Sequence, residues 1–291
     1  MSAPLSVAVQ GELGSNSELA TLEFFAASAS PGDISIVPCP TFGDLFAAVD
    51  DGRACYAMAP VENSLAGSIH QVWSLLASYR PPVAGEISLR IRHCLIAHPG
   101  TSLSQIRRIT SHPQALAQCA PFLQSLKDVI VEEAYDTAGA VKLLRQSGRR
   151  DEAAIASEQA AVDYEMEVVQ QDLQERDDNY TRFLVLGPPD GKSASEWKVT
   201  VLMRVGESAS QLQRLLTSLV GSGLKLAKVE TAKRPGLPWE FDLYVEGLTD
   251  DPAHTLPEAL KAEPTLLAEP ILLGPYPRGS HAEPQVHRRP R

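Results

Sequence analysis

The chain has 291 residues, 44% of them hydrophobic, which is enough to bury a sizeable core and to make two domains. Its formal net charge of −10 argues against a nucleic-acid partner, because a phosphate-binding surface needs clustered Lys and Arg. Met1-Ser2-Ala3-Pro4 runs straight into Leu5-Ser6-Val7-Ala8-Val9 with no signal-length apolar core, and no later run could span a bilayer, so a cytoplasmic location and no membrane partner are expected.

In chain order, the first strand is expected over residues 6–10. The turn Gly11-Glu12-Leu13-Gly14-Ser15-Asn16-Ser17 leads to a helix over 18–29. That turn lacks the three spaced glycines of a dinucleotide fingerprint, and its Ser and Asn residues are helix caps whose amide donors could also receive a carboxylate. A strand over 34–37 and a helix over 43–50 precede Tyr56-Ala57-Met58-Ala59-Pro60-Val61, which delivers Glu62-Asn63-Ser64 into a glycine-bearing turn. A helix over 69–78 follows, and Pro81-Pro82 then breaks the chain. Residues 83–97 read as extended segments passing into a second lobe.

Within that lobe, Ile109-Thr110-Ser111 is a short strand leading into His112-Pro113-Gln114 and a helix over 115–126. Pro113 suits a first helical turn, so Ser111 is expected to cap it, with Gln118 two turns on and sharing its face. Val129-Ile130-Val131 is the next strand, Asp136-Thr137 caps a helix over 138–146 that Gly148 ends, and a strand over 153–156 and a helix over 158–164 complete the lobe. The chain returns through 168–178 to Asn179-Tyr180-Thr181-Arg182-Phe183, where a charged tract gives way to the buried-strand run Leu184-Val185-Leu186. Going out and coming back makes a bilobal α/β body with a cleft, a shape that suits small anions. Thr181 and Phe183 should share one strand face, with Arg182 on the other.

Residues 188–196 are a linker by composition. Residues 197–278 then alternate as strand, helix, two strands, a helix over 256–262 and a last strand, the βαββαβ order of a ferredoxin-like α+β unit whose free edges favour a homodimer or homotetramer. The Pro-rich end, 279–291, with His287-Arg288-Arg289, reads as a disordered tail. Cys39, Cys55, Cys94 and Cys119 lie far apart with no Cys-x-x-Cys or paired His, so buried free thiols are expected rather than a metal site.

Three motifs in this order, Val61-Glu62-Asn63-Ser64 with Gly67, Ser111-His112-Pro113-Gln114-Ala115-Leu116-Ala117-Gln118-Cys119 and Asn179-Tyr180-Thr181-Arg182-Phe183, resemble those of prephenate dehydratase with a C-terminal ACT domain. The resemblance spans nearly the whole chain to Tyr276. It implies a periplasmic-binding-protein-like (type II) bilobal domain over 1–187, its second lobe over about 83–172, and an ACT unit over 197–278. It implies further that prephenate becomes phenylpyruvate, water and carbon dioxide without cofactor or metal. Thr181 is then the residue most tied to chemistry, with Asn63, Ser111 and Gln118 lining the same cleft and Arg182 and Phe183 shaping it. Ser64, Ser17 and Thr137 join the expected substrate-binding set.

An effector, L-phenylalanine, would fall near Ser208, Ala209, Leu212, Glu230 and Thr231. The chain departs from the family there, with Glu230-Thr231-Ala232-Lys233 in place of Glu-Ser-Arg-Pro and Gly206-Glu207-Ser208-Ala209 in place of Gly-Ala-Leu-Val. Feedback control and a unit kept mainly for dimerisation both stay open. Two other functions compete: arogenate dehydration, which no carboxylate of the motif set favours by pairing the extra ammonium, and non-catalytic binding of a small anion or amino acid.

Overall fold

The computed structural model describes residues 4–287 except 190, 192–193, 207–208, 235–236, 238–239, 252 and 257–265. Its strands and helices, in chain order, are β1 (Leu5–Gln10), α1 (Asn16–Phe25), β2 (Ile34–Cys39), α2 (Phe42–Asp50), β3 (Tyr56–Asn63), β4 (Gly67–Ser68), α3 (His70–Tyr79) and β5 (Val83–Arg90). Next come β6 (Cys94–Ala97), β7 (Arg108–Ser111), α4 (Pro113–Gln118), α5 (Ala120–Ser125), β8 (Ile130–Glu133), α6 (Thr137–Ser147), β9 (Glu152–Ala156), α7 (Glu158–Asp163) and β10 (Glu167–Gln170). The remainder is β11 (Tyr180–Leu186), β12 (Trp197–Val205), α8 (Ala209–Gly221), β13 (Lys225–Lys233), β14 (Phe241–Thr249), β15 (Ile271–Pro277) and β16 (His281–Ala282). Contacts divide the chain into two units. One holds Met1–Ile69, Ile87–Leu184 and Ser280–Arg291, and the other His70–Glu86 and Val185–Gly279.

The first unit is a pair of α/β lobes, each on its own sheet. One sheet runs β16-β5-β11-β3-β1-β2, with β1 parallel to both β2 and β3. The other runs β10-β6-β9-β7-β8. Side-chain alternation buries both faces of this second sheet. Cys94, Ile96, Ala154 and Ala156 meet α6 and α7 on one side, while Leu95, Ala97, Ala153 and Ile155 meet Leu116, Cys119 and Phe122 on the other. The chain crosses between the lobes twice, over 91–93 and 171–179, which is the path of the type II periplasmic-binding-protein-like fold.

Local chemistry explains the helix starts. Ser15 accepts from Glu18 N–H, Thr41 and Asp44 form a reciprocal capping box, and Asp136 accepts from Gly139 N–H at 2.6 Å. Gly148, at φ 67°, ends α6 in the left-handed region. Gly14, at φ 81°, is required on two counts: a Cβ there would stand 2.5 Å from Ala160 Cα, where the first lobe's loop meets α7.

In the second unit the four-stranded antiparallel sheet has the order β13-β14-β12-β15, which is the ferredoxin-like order. Val199, Val201, Met203 and Val205 of β12 face Leu215 and Leu219 of α8. The opposite face carries Trp73 of α3 stacked on Tyr244, with ring centroids 5.3 Å apart. Among the described residues no helix is long and apolar enough to cross a membrane.

Three expectations need revision, and one falls outside the described residues. The single helix over 115–126 is two short helices, because Pro121 cannot donate to a carbonyl one turn back and the chain kinks at Cys119. The tail is not disordered over its described part. Ser280–His287 lies along the first unit, with β16 parallel to β5, Glu283 paired to Arg90 and Arg92, and His287 N–H donating to Gln159 Oε1 at 2.7 Å. Composition misread it because Pro-rich chain can still use its backbone groups on an existing sheet edge. Cys55 is exposed rather than buried, while burial pushes the Cys94 and Cys119 thiols up to about 12. The helix expected over 256–262 lies outside the described residues except at Leu256.

Candidate active site

β3 and β11 are neighbours in the first sheet, so the end of one, Glu62-Asn63, meets the start of the other, Tyr180-Thr181. Beyond β3 the chain turns, and Asn63 Oδ1 accepts from the N–H groups of Leu65 at 3.1 Å and Ala66 at 3.0 Å. Those two bonds decide which way the amide points. Its Nδ2 therefore faces β11, where it donates to Asn179 Oδ1 at 2.8 Å, Thr181 Oγ1 at 3.1 Å and the Tyr180 carbonyl at 3.2 Å.

The same polarity passes along the chain of side chains. Asn179, fully buried, donates through Nδ2 to Gln118 Oε1 at 3.0 Å, and His93 Nε2 lies 2.8 Å from that same oxygen. Burial lowers the pKa of His93 below its ordinary value, so the ring is neutral at physiological pH. Asn63 belongs to the first lobe, Gln118 to the second, and His93 and Asn179 to the two crossings between them. The row is made of amides, a hydroxyl and a neutral imidazole, and carries no formal charge.

Thr181 occupies a particular place in it. Its oxygen accepts from Asn63, so its own proton is left to point elsewhere. Ser64 pins the two strand ends together: its hydroxyl donates to the Asp178 carbonyl at 2.8 Å and accepts from Tyr180 N–H at 2.9 Å.

Other expected residues stand apart. Ser111 is fully buried, and its hydroxyl donates to the Ile155 carbonyl at 2.5 Å, across β7 and β9. It does not cap α4. His112 does, its Nδ1 accepting from Gln114 N–H at 3.2 Å, because Pro113 at N1 makes the preceding residue the cap. Phe183 is 1% exposed and packed in the core, so it does not shape a cleft wall. Arg182 does lie on the other side of the strand register, but it is paired with Glu62 at 3.1 Å, its side chain only 12% exposed, and is no free cation.

Ser17 and Thr137 line a different cavity of about 190 Å³, together with Asn16, His112 and Asp136. The starts of α1 and α6 both open on it. Beside it Lys142 and Tyr135 of the second lobe both reach Glu12 of the first, at 2.8 and 3.1 Å. Burial and the Glu12 carboxylate push the Tyr135 phenol up to about 12. Gln118 lines a further cavity of about 270 Å³ with Leu65, Gln114 and Gln174.

In the second unit, Glu230 pairs with His70 at 3.6 Å and Lys228 at 3.0 Å. Thr231 is exposed on β13, Leu212 packs partly against the core, Ala209 opens α8, and Ser208 lies outside the described residues.

Sequence reasoning named Asn179 within a motif but gave it no role, and it missed His93 altogether. Nothing around Arg92-His93-Cys94 signals a polar site. Its importance comes from the two crossings passing side by side, with Leu173 N–H donating to the His93 carbonyl and His93 N–H to Gln174 Oε1.

The first unit is a bilobal α/β body in which a threonine hydroxyl stands as a donor among neutral amides, an arrangement of the class that suits a small polar molecule. The prephenate dehydratase family model matches residues 7–190. Arogenate dehydratase/prephenate dehydratase 2 of Arabidopsis thaliana is 35% identical over 285 residues, covering 93% of this chain and 72% of its own. A bifunctional N-acyl-homoserine lactone acylase/prephenate dehydratase of Komagataeibacter europaeus is 34% identical, covering 93% of this chain and 95% of its own. The crystal structure of prephenate dehydratase from Arthrobacter aurescens, in complex with L-Phe, superposes with a TM-score of 0.77 at 25% identity, over 94% of this chain and 90% of that one. The chain belongs to the prephenate dehydratase family and is a carbon–oxygen lyase, a hydro-lyase.

Proposed function

We propose that this chain converts prephenate to phenylpyruvate, and that Thr181, Asn63 and Gln118 carry the reaction. The observation that supports this most directly is the direction of the Asn63 amide, fixed by two backbone N–H groups, which leaves the Thr181 proton free. In the reaction the C–C bond to the ring carboxylate breaks and carbon dioxide leaves. The electron pair enters the ring, the C–O bond to the ring hydroxyl breaks, and the departing oxygen takes a proton to become water. The ring becomes aromatic, so the difficulty lies in the poor leaving group.

A donor aimed at that oxygen, in a site from which closing lobes exclude water, stabilises the charge that develops on it. Thr181 is this donor or relay, and the Asn63 N–H on its oxygen strengthens the donation. Gln118 presents its remaining amide donors to the substrate's polar end. The helix starts at Ser17 and Thr137 offer backbone donors to a carboxylate. Arg182 takes a supporting part through Glu62, and Ser64 holds the two strand ends.

The reading is tested by Thr181→Ala. Its kcat should fall on the order of 100-fold or more with less change in KM, since the lost donation is made mainly in the transition state. Full activity in that variant removes Thr181 from the mechanism. Formation of phenylpyruvate is followed by its absorbance in alkali. Running arogenate beside prephenate separates the two dehydratases, and binding without turnover would favour a receptor instead.

We infer that the second unit is an ACT domain. Its sheet leaves β13 and β15 as edges, with Leu226 and Val229 exposed on β13, and pairing of such edges makes a homodimer or homotetramer. The L-Phe complex of the Arthrobacter relative supports phenylalanine as an effector, near Glu230 and Thr231. Calorimetry reaching micromolar to low-millimolar affinity is the result expected of feedback control. A cytoplasmic location completes the proposal.

A further inference from the structure

We infer that His93 is a positioning residue for this reaction: it fixes the Gln118 amide so that the amide's N–H donors, and not its oxygen, face the substrate. The inference rests on the dehydratase reading above, because it names what sets the site's far end.

An amide can flip, and the two ends of Asn or Gln are nearly equal in size, so a site that uses one as a donor must hold it in one sense. Here a sense is imposed from both ends of a row. At one end, Leu65 and Ala66 N–H take the Asn63 oxygen. That turns Asn63 Nδ2 towards Asn179 Oδ1, and so Asn179 Nδ2 towards Gln118. At the other end a neutral imidazole can offer either a donor or an acceptor. If Nε2 carried a lone pair, Gln118 could satisfy it by flipping its NH₂ inwards, which would set two donors, Gln118 Nε2 and Asn179 Nδ2, against each other. With the proton on Nε2, both Asn179 and His93 donate to Gln118 Oε1, at 3.0 and 2.8 Å, and the Gln118 NH₂ turns to the cavity that it lines.

The main chain holds the ring in place. His93 N–H donates to Gln174 Oε1 at 2.9 Å and its carbonyl accepts from Leu173 N–H at 2.9 Å, so both crossings fix it, and the residue is 3% exposed. The Gln118 carbonyl in turn accepts from Glu175 N–H at 2.9 Å. His93 thus ties the second lobe's amide to both crossings between the lobes.

The test uses the full chain with prephenate, comparing His93→Phe, which fills the space without a donor, and His93→Gln, whose Nε2 can reach the same oxygen. His93→Phe should lower kcat between about 10-fold and 100-fold, the scale of a misplaced reacting group, with KM changed less, while His93→Gln recovers most of the loss. A His93→Phe variant with unchanged kcat, in a protein where Thr181→Ala is inactive, overturns the inference and leaves the dehydratase reading standing. If Thr181→Ala is itself fully active, it is the reading that fails. Nitrogen NMR of the unmodified chain serves if neither His93 variant folds: a ring protonated on Nε2 is the expected result, and a proton on Nδ1 alone overturns the inference.

Discussion

Two buried polar networks in this chain are built in opposite ways. The row through Thr181, Asn63, Asn179, Gln118 and His93 in the first unit has no formal charge. In the second unit Lys198 reaches both oxygens of Glu86, at 3.1 and 3.0 Å, and stands 3.9 Å from Glu246, with Thr200 and Tyr276 hydrogen-bonded beside them. In the charged network one cation stands between two buried carboxylates, and Gly279 N–H also donates to Glu86 Oε1 at 3.2 Å. The neutral row ends in donors not spent on protein: the Thr181 proton and the Gln118 amide. Charges that satisfy one another make a scaffold, whereas a row of neutral groups can keep donors for a ligand without leaving a buried ion unpaired.

The largest effect is expected where the charged network is broken. Lys198→Met leaves Glu86 and Glu246 without their shared cation and should cost about 3–5 kcal/mol of stability, seen as a lower urea midpoint. Adding Glu86→Gln to that variant should restore part of the loss. A loss of turnover that exceeds the loss of folded protein would mean that the charged network also serves the reaction.

Next comes Asn63→Asp, which keeps the acceptor for Leu65 and Ala66 but swaps the donor facing Thr181 for a second acceptor. The Thr181 proton then turns inwards, and kcat should fall about 100-fold, comparable to removing a transition-state donor. The buried carboxylate also faces Asn179 Oδ1 and the Tyr180 carbonyl, so the urea midpoint should fall as well, and kcat is compared per folded protein.

The smallest effect is on acid stability. Burial lowers the folded pKa of His93, so the unfolded ring takes up a proton at pH values where the folded ring does not. Its contribution is complete above the ordinary histidine pKa and declines as pH falls towards the folded value. Urea titrations between about pH 7 and pH 5 should therefore show less loss in His93→Gln than in the parent. Equal slopes would mean that the ring titrates as freely folded as unfolded.

Much was legible without coordinates. Alternating apolar runs located the strands of both units, because burying one or two faces of a sheet forces a period of two. Motif order singled out Asn63, Gln118 and Thr181, which the fold links through Asn179. The misassigned residues share a cause. Ser111, Phe183 and Arg182 sit in or next to the right motifs, yet whether a hydroxyl, a ring or a guanidinium is free depends on what a distant strand brings to it. Ile155 takes the first, the core the second and Glu62 the third.

What the chain's own order of residues determined was most of the strands and helices and the short stretches that carry polar chemistry, since those follow from local periodicity and turn residues; the units themselves divide otherwise, with His70–Glu86 grouped with Val185–Gly279. Only tertiary structure decided which polar atoms were already spent. The direction of an amide, the proton position on His93 and the docking of Ser280–His287 all depend on partners far along the chain. Hydrogen bonds are satisfied in space, and no local pattern records which distant group will satisfy them.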